Sequence, residues 1–169
     1  MFGNIRRTRI IAFSAAFIGL IAIGSWISIP IGSVPVTLQT LFVLLAGVIL
    51  HRYGSLPVVL YILFGALGLP LFHNGTAGPG IILGPTGGYL DGFVLAALVT
   101  GLAYETKSTG LRISGLVAGT LLIYACGTAW LVISLGMGIV PAIVTGVLPF
   151  IVFDFIKAGA AYLIGTRIP

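Results

Sequence analysis

The sequence IIAFSAAFIGLIAIGSWISI, residues 10–29, contains no charged side chain over its whole length. About 20 apolar residues in a helix are enough to cross the hydrocarbon core of a bilayer. Three arginines precede the run, as in a secretory signal, but the run is longer than a signal core and no clear small-residue cleavage site follows it. The stretch therefore predicts a first transmembrane helix that is retained.

The rest of the chain has the same apolar character. Hydrophobic residues make up 59% of the 169 residues and charged residues only 7%, whereas a soluble domain carries roughly a quarter charged residues. Further apolar runs lie at 36–51, 55–70, 86–104, 111–134 and 142–166. We therefore predict an all-α integral membrane protein with six transmembrane helices, in which residues 1–169 form a single membrane domain.

Basic residues mark every second connection between these runs. After the N-terminal arginines they occur as Arg52 in the second connection, as Lys107 and Arg112 in the fourth, and as Arg167 at the end. The first, third and fifth connections have no Lys or Arg. By the positive-inside rule, this alternation predicts that both termini are cytoplasmic. The net charge of +5 follows from topology, and no clustered basic face indicates nucleic-acid binding.

The last apolar run contains an acid and a base in the stretch VFDFIKAG, residues 152–159. Asp154 and Lys157 are three positions apart, so they lie on one face of a helix and can meet. Each charge costs about 2.5–3.5 kcal/mol at the centre of a bilayer. One interpretation is a structural ion pair; the other is a grip on a ligand that offers N–H and C=O side by side, such as an amide or urea. Their distance from Pro149 places the pair in the outer half of the membrane.

A second motif is GPGIILGPTGGYLDGF, residues 78–93. Pro85 and Thr86 resemble a helix start, at which Thr86 or a neighbour caps the helix and Gly87 and Gly88 leave backbone N–H groups accessible to an anion. The alternative is that the glycines serve a tight turn and close helix packing. The motif lacks the Lys-Ser or Lys-Thr of a nucleotide-binding loop.

Two further polar residues follow on the first turns of this helix or near it. Tyr89 and Asp91 are two positions apart and therefore lie on different faces. Asp91 belongs, with the acid and base of the last run, to the charges that no aqueous connection accounts for. For His73, in the third connection, the two interpretations are a ligand contact and an ordinary polar loop residue, of which the second is favoured.

The first two predicted helices contain two weaker signals. Gln39 lies in the polar cluster of VPVTLQTLF, residues 34–42, where an interhelical hydrogen bond and a ligand contact are equally compatible with the sequence. Ala12 and Ala16 form a flat strip of small side chains on the first helix, which lets another helix approach closely.

Three stretches together resemble one family: VPVTLQTLFVLLAG at 34–47, LGPTGGYLDGF at 83–93 and LPFIVFDFIKAG at 148–159. Over nearly its whole length the chain is similar to BioY, the biotin-specific substrate-binding (S) component of energy-coupling factor (ECF) transporters. The resemblance implies a protein of the prokaryotic plasma membrane that captures biotin from the outside. It further implies docking on a transmembrane coupling subunit and two ATP-binding subunits, with no catalytic activity, cofactor or metal in this chain.

Carried over position by position, the resemblance assigns roles to the polar residues. Asp154 and Lys157 would hold the ureido ring of biotin, and Tyr89, with Gly87 and Gly88 before it, would line the same pocket. The carboxylate of biotin would lie nearer the outer loops. This assignment agrees with the chemistry of the ligand, because the urea needs an acceptor and a donor and the thioether ring suits apolar walls.

The resemblance also assigns a docking surface and reveals one departure. Ala12 and Ala16 look like the small-residue motif with which such components dock their coupling subunit. Asp91 stands where the family is expected to have an apolar residue. For Asp91 three interpretations stay open: it faces a cavity, pairs with His73, or is protonated.

Alternative functions remain at this point. One is an S component for another vitamin, and another is a channel or facilitator in which Asp91, Asp154 and Lys157 line a continuous pore. An intramembrane enzyme is disfavoured because the sequence has no Ser-His, His-Glu or metal-ligand spacing, and Cys126 has no evident basic partner.

Overall fold

Helices account for most of the described chain. The computed structural model describes residues 3–31 and 34–168; the side chain of Arg6, one of the predicted cytoplasmic charges, lies outside the described part. The helices are α1 (Gly3–Trp26), α2 (Gln39–Leu50), α3 (Ser55–Ala66), α4 (Pro79–Leu83), α5 (Gly87–Tyr104), α6 (Thr109–Leu135), α7 (Ile139–Gly146) and α8 (Ile151–Arg167). Strands β1 (Ser28–Ile29) and β2 (Val36–Thr37) form a short antiparallel hairpin between α1 and α2.

Three helices are long and apolar enough to cross a membrane by themselves: the segments Arg7–Trp26, Gly87–Tyr104 and Thr109–Leu135. Two further candidates are bent pairs. The chain bends by 118° between Gln39–Tyr53 and Ser55–Ala66, and by 52° between Ile139–Gly146 and Ile151–Arg167. The described residues thus contain three to five candidate spans, and the mostly helical apolar architecture agrees with the sequence. The count of six stays a prediction.

The helix boundaries differ from the predicted runs where the chain turns. Residues 36 and 37, the predicted start of the second span, belong to β2, and α2 begins at Gln39. The third run ends early because the chain leaves α3 after Ala66 and takes a left-handed backbone at Gly68, φ +105°. The last run is broken between α7 and α8 around Pro149, which has no backbone N–H to continue a helix.

Helices α5 and α6 pack tightly together because glycines lie where they cross. A side-chain carbon on Gly92 would come within 2.8 Å of the Cα of Ile123. One on Gly119 would come within 2.8 Å of the Oγ1 of Thr100, which is fully buried in the core. Small residues let backbones approach closely where lipid offers no hydrophobic driving force between helices. Helices α5 and α6 therefore form a closely packed pair at the centre of the fold.

Helices α2, α5 and α8 all begin at the same end of the molecule. Residues of their first turns line one cavity, and residues at their other ends line a separate cleft. Three helix N-termini therefore point their partial positive charge towards the first cavity. This arrangement brings together polar residues that are far apart in the sequence.

Candidate ligand-binding site

A cavity lies between the first turns of α2, α5 and α8. It has an empty volume of about 580 Å³, part of which is continuous with solvent. The chain before α2 and the turn that contains His73 contribute to its walls. The lining residues are Val34, Pro35, Thr37, Gln39, Thr40, Tyr61, Phe72, His73, Ile81, Thr86, Tyr89, Leu90, Phe93, Ile123, Tyr124, Phe150, Asp154 and Lys157.

The predicted acid and base meet inside this cavity. The Nζ of Lys157 donates to the Oδ1 of Asp154 over 2.8 Å. Both residues are buried, with 2% of Asp154 and 6% of Lys157 exposed. Asp154 lies in the first turn of α8, where the helix dipole favours a carboxylate. The prediction that the two side chains share one helix face and meet is confirmed.

Tyr124 of α6 completes this group. Its hydroxyl donates to the Oδ2 of Asp154 over 2.8 Å. Tyr124 is not among the residues predicted from the sequence. A phenol in the middle of a span needs a hydrogen-bond partner when buried, and this need could have indicated Tyr124 as a candidate. Which partner it finds depends on how α6 packs on α8, and the sequence does not state that.

The three side chains keep hydrogen-bonding capacity for a ligand. An ionised carboxylate offers about four lone-pair positions, and the two contacts to Asp154 use one on each oxygen. An ammonium has three donors, and Lys157 makes one hydrogen bond in the described structure. The pair can therefore accept an N–H from a ligand on one side and donate to a carbonyl oxygen on the other.

Gln39 adds a second donor at the start of α2. It is 6% exposed, and its side chain approaches the hydroxyl of Tyr61, while its Nε2 makes no hydrogen bond of regular geometry among the described residues. Its backbone N–H donates to the Oγ1 of Thr37 over 3.2 Å. A buried amide N–H without an acceptor is costly. Gln39 is thus compatible with both interpretations, because it adjoins Tyr61 of α3 and keeps an amide N–H available to a ligand.

Aromatic rings form much of the remaining wall. Tyr89 and Phe150 lie 6.3 Å apart between ring centroids, and Tyr61 meets Phe72 edge to face at 5.5 Å. The hydroxyl of Tyr89 donates to the carbonyl oxygen of Gly146 over 2.8 Å, so it ties α5 to the end of α7. Tyr89 thus lines the cavity with its ring, as predicted, while its hydroxyl is already engaged.

The glycine motif divides between the cavity and helix packing. Thr86 lines the cavity and precedes α5, but its hydroxyl donates to the carbonyl oxygen of Ile81 over 3.4 Å and does not cap the helix. Gly87 and Gly88 are buried and lie against Trp130 of α6 instead of lining the cavity. The structure places both glycines in a helix contact, and their contact with a ligand stays a prediction.

The structure also shows where Asp91, His73 and the two alanines of α1 lie. Asp91 is exposed on the outside of α5 and does not line the cavity, and no ion pair joins it to His73 within the described chain. His73 is partly buried and does line the cavity, and its burial lowers the pKa of the imidazole, which favours the neutral form. Ala12 and Ala16 are both exposed on α1.

Comparison with known proteins agrees with this arrangement. The chain is 47% identical to the "Biotin transporter BioY" of Thermotoga maritima over 154 residues, covering 90% of each chain. It is 40% identical to the "Probable biotin transporter BioY" of Pyrococcus horikoshii over 159 residues, covering 94% of each. It is 37% identical to the "Biotin transporter BioY2" of Lactococcus lactis, covering 94% of this chain and 87% of the relative. These relatives are named as transporters and not as enzymes.

A solved structure extends the likeness to three dimensions. The chain matches the crystal structure of the S-component for biotin from an ECF-type ABC transporter with a TM-score of 0.87 and 27% identity, covering 97% of this chain and 92% of the other. The profile of the BioY family matches residues 2–169. The resemblance recognised in the sequence is therefore confirmed, and the chain belongs to the BioY family.

Proposed function

We propose that this chain is the biotin-specific S component of an ECF transporter and that it holds biotin in the cavity at the first turns of α2, α5 and α8. The observation that carries this assignment is the buried group formed by Asp154, Lys157 and Tyr124 inside an aromatic cavity. Burying an ion pair is expensive unless its remaining hydrogen bonds are satisfied. A polar ligand that completes those bonds offsets the cost of burying the two charges.

The chemistry of biotin matches the positions of the polar groups. The urea N–H donates to Asp154, and the urea oxygen accepts from Lys157, with Gln39 as a further donor. The thioether ring lies against the aromatic wall, to which sulfur is attracted. The carboxylate points towards the outer loops, where Thr86 and His73 line the cavity. Each part of the ligand thereby meets a group of complementary character.

The membrane arrangement follows from the charges and the helix directions. We assign six transmembrane helices, with α7 and α8 together forming the sixth, and one membrane domain over residues 1–169 with both termini in the cytoplasm. The basic connections support this topology, since every second one contains Lys or Arg. The cavity then opens towards the outside of a prokaryotic plasma membrane.

The sequence has no phosphate-binding loop, and in this proposal the energy for transport comes from other subunits. We assign docking on a transmembrane coupling subunit to the exposed strip of Ala12 and Ala16, and energy supply to two ATP-binding subunits. The strip is accessible on α1, as such a contact needs.

A panel of ligands tests the assignment and separates it from a sister vitamin transporter. Purified protein is titrated with biotin, with desthiobiotin, which keeps the urea but lacks the sulfur ring, and with lipoate, which has a sulfur ring and a carboxylate but no urea. We expect biotin to bind most tightly, desthiobiotin to compete and lipoate to fail. Tight binding of thiamine or riboflavin without binding of biotin would contradict the proposal.

The channel alternative is not supported by the geometry. The ligand cavity and the cleft at the opposite end share no lining residue, and Asp91 lines neither of them. A continuous pore lined by Asp91, Asp154 and Lys157 is therefore absent from the described part of the chain.

A further inference from the structure

A second, larger cleft lies at the opposite end of the molecule from the ligand cavity. It is formed by the N-terminal part of α1 and the last residues of α2, α5 and α8, and its empty volume is about 2,090 Å³, much of it open to solvent. In the topology proposed above, this end faces the cytoplasmic leaflet. We refer to this space, lined among others by Arg9, Arg52, Tyr104 and Arg112, as the basic cleft.

The basic cleft is lined by more arginines than carboxylates. Its one carboxylate, Glu105, receives both the Nε and the NH2 group of Arg52 over 2.6 Å each. No carboxylate contacts Arg9 or Arg112 within the described chain. The guanidinium of Arg112 lies instead over the ring of Tyr104, 5.3 Å from its centroid, and its Nε donates to the carbonyl oxygen of Thr106 over 2.9 Å. Two arginines of the cleft thus lack an anionic partner.

A buried donor points to the same missing partner. Tyr104 is 4% exposed and lines the cleft, and its hydroxyl is buried without a hydrogen-bond partner among the described residues. A buried hydroxyl left unpaired is destabilising, whereas nearly all such groups in folded proteins have a partner. An oxygen-rich anion between this hydroxyl and the arginines would satisfy all three groups.

Apolar residues adjoin these polar groups. Ile10 and Phe13 line the same cleft on the α1 side, and Phe13 is 36% exposed. A free inorganic anion would gain nothing from them. A lipid places its phosphate at the interface and its chains immediately beside it, and basic pockets between helices on the cytoplasmic side are suited to anionic headgroups. Guanidinium groups also match phosphate oxygens in two-pronged geometry.

We propose that the basic cleft binds an anionic phospholipid, whose headgroup phosphate lies between Arg9 and Arg112 next to the hydroxyl of Tyr104 and whose acyl chains begin against Ile10 and Phe13. The proposal uses the topology of the proposed function but not its ligand. It is therefore tested without biotin or any partner subunit.

The experiment measures lipid binding to the purified full chain in detergent by native mass spectrometry. The probes are phosphatidylglycerol, phosphatidylcholine and inorganic phosphate. We expect phosphatidylglycerol to bind more tightly than phosphatidylcholine, and inorganic phosphate at millimolar concentration not to displace it. The variants Arg9→Gln and Arg112→Gln should each weaken phosphatidylglycerol binding about fivefold, and Tyr104→Phe should weaken it without unfolding the protein.

The matched control is Arg167→Gln, which removes a basic residue at the same end that does not line the cleft. It should leave phosphatidylglycerol binding unchanged. Arg112 packs on Tyr104 and Arg9 packs on the ring of Phe13, 5.5 Å from its centroid, so thermal unfolding of each variant is measured beside lipid binding. The exposed Arg9 is the variant expected to change stability least. Equal binding of the two lipids, equal effects of Arg9→Gln and Arg167→Gln, or displacement by inorganic phosphate alone would each overturn the proposal.

Discussion

The described part of the chain contains two ion pairs of similar length at opposite ends. Lys157 and Asp154 meet over 2.8 Å with 7% and 3% of their side chains exposed, and Arg52 and Glu105 meet over 2.6 Å with 60% and 28% exposed. The first pair lines the ligand cavity within one helix, and the second joins the connections that follow α2 and α5. The two N–O distances are similar, but the two pairs differ in how much of each side chain is exposed to solvent.

The difference is one of desolvation. Water screens the exposed pair, so its loss has little effect, as is usual for surface ion pairs. The buried pair has lost its water, so each charge depends on the other and on whatever else donates or accepts in the cavity. A charge pair in such surroundings is typical of a functional site, whereas the exposed pair lies at the opposite end of the molecule, among the basic connections.

The largest effect should come from breaking the buried pair on one side. Asp154→Asn and Lys157→Met each remove a ligand partner and leave the other group uncompensated, which costs about 3–5 kcal/mol or on the order of 10²–10⁴-fold in the Kd for biotin. Isothermal titration of the purified variants measures this loss. The matched controls Glu105→Gln and Arg52→Met make the same chemical changes in the exposed pair. If the two sets of variants lost the same affinity, the distinction drawn here would fail.

A smaller effect is expected from the hydroxyl that orients the buried carboxylate. Tyr124→Phe removes the hydrogen bond to the Oδ2 of Asp154 and leaves the ring in place. A hydrogen bond to a charged group contributes about 1.5–3 kcal/mol, so the Kd for biotin should rise by roughly tenfold or more. The control Tyr53→Phe changes an exposed tyrosine at the other end. An unchanged Kd in Tyr124→Phe would show that Asp154 needs no positioning.

The next smaller effect is expected at Gln39, whose amide N–H makes no hydrogen bond of regular geometry within the described chain. Gln39→Met keeps the approximate shape of the side chain and removes this donor. We expect affinity for biotin to fall by about fivefold, since a neutral hydrogen bond contributes about 1 kcal/mol. The thermal unfolding midpoint should not fall. A variant that unfolds earlier but binds biotin normally would restore the interpretation of Gln39 as an interhelical contact.

The exposed pair should give the smallest effect and a characteristic pH dependence. The hydrogen bond from Arg52 lowers the pKa of Glu105 from 4.5 to about 2. Because this folded-state pKa is depressed, the contribution of the pair is complete above about pH 4.5 and disappears as the pH falls towards 2. Glu105→Gln should therefore change the Kd for biotin less than about twofold. Its small effect on thermal unfolding should be constant from pH 5 to 8 and should decrease with added salt.

Much of this architecture could be predicted because apolar length and basic spacing report directly on the membrane. The runs at 86–104 and 111–134 correspond closely to Gly87–Tyr104 and Thr109–Leu135. The other boundaries moved where apolar residues form turns, as at the hairpin before α2 and the break at Pro149, because hydropathy does not distinguish an apolar turn from an apolar helix.

The candidate site could be predicted only as far as local spacing reaches. The meeting of Asp154 and Lys157 follows from a separation of three residues on one helix. The roles of Tyr124 and Asp91 do not, because the first depends on how α6 packs on α8 and the second on which face of α5 points outwards. From the sequence alone, Gly87 and Gly88 are compatible with both a ligand contact and close helix packing. The position of Trp130 beside them depends on how α6 packs on α5.

The double variant Asp154→Asn/Lys157→Met tests the central claim most directly. Replacing both members of a buried pair by uncharged side chains of similar size leaves no unpaired charge and is often neutral or stabilising. We expect the double variant to unfold at no lower temperature than the unmodified chain and yet to have lost measurable affinity for biotin. A double variant that binds biotin as tightly as the unmodified protein would show that the two charges serve only each other.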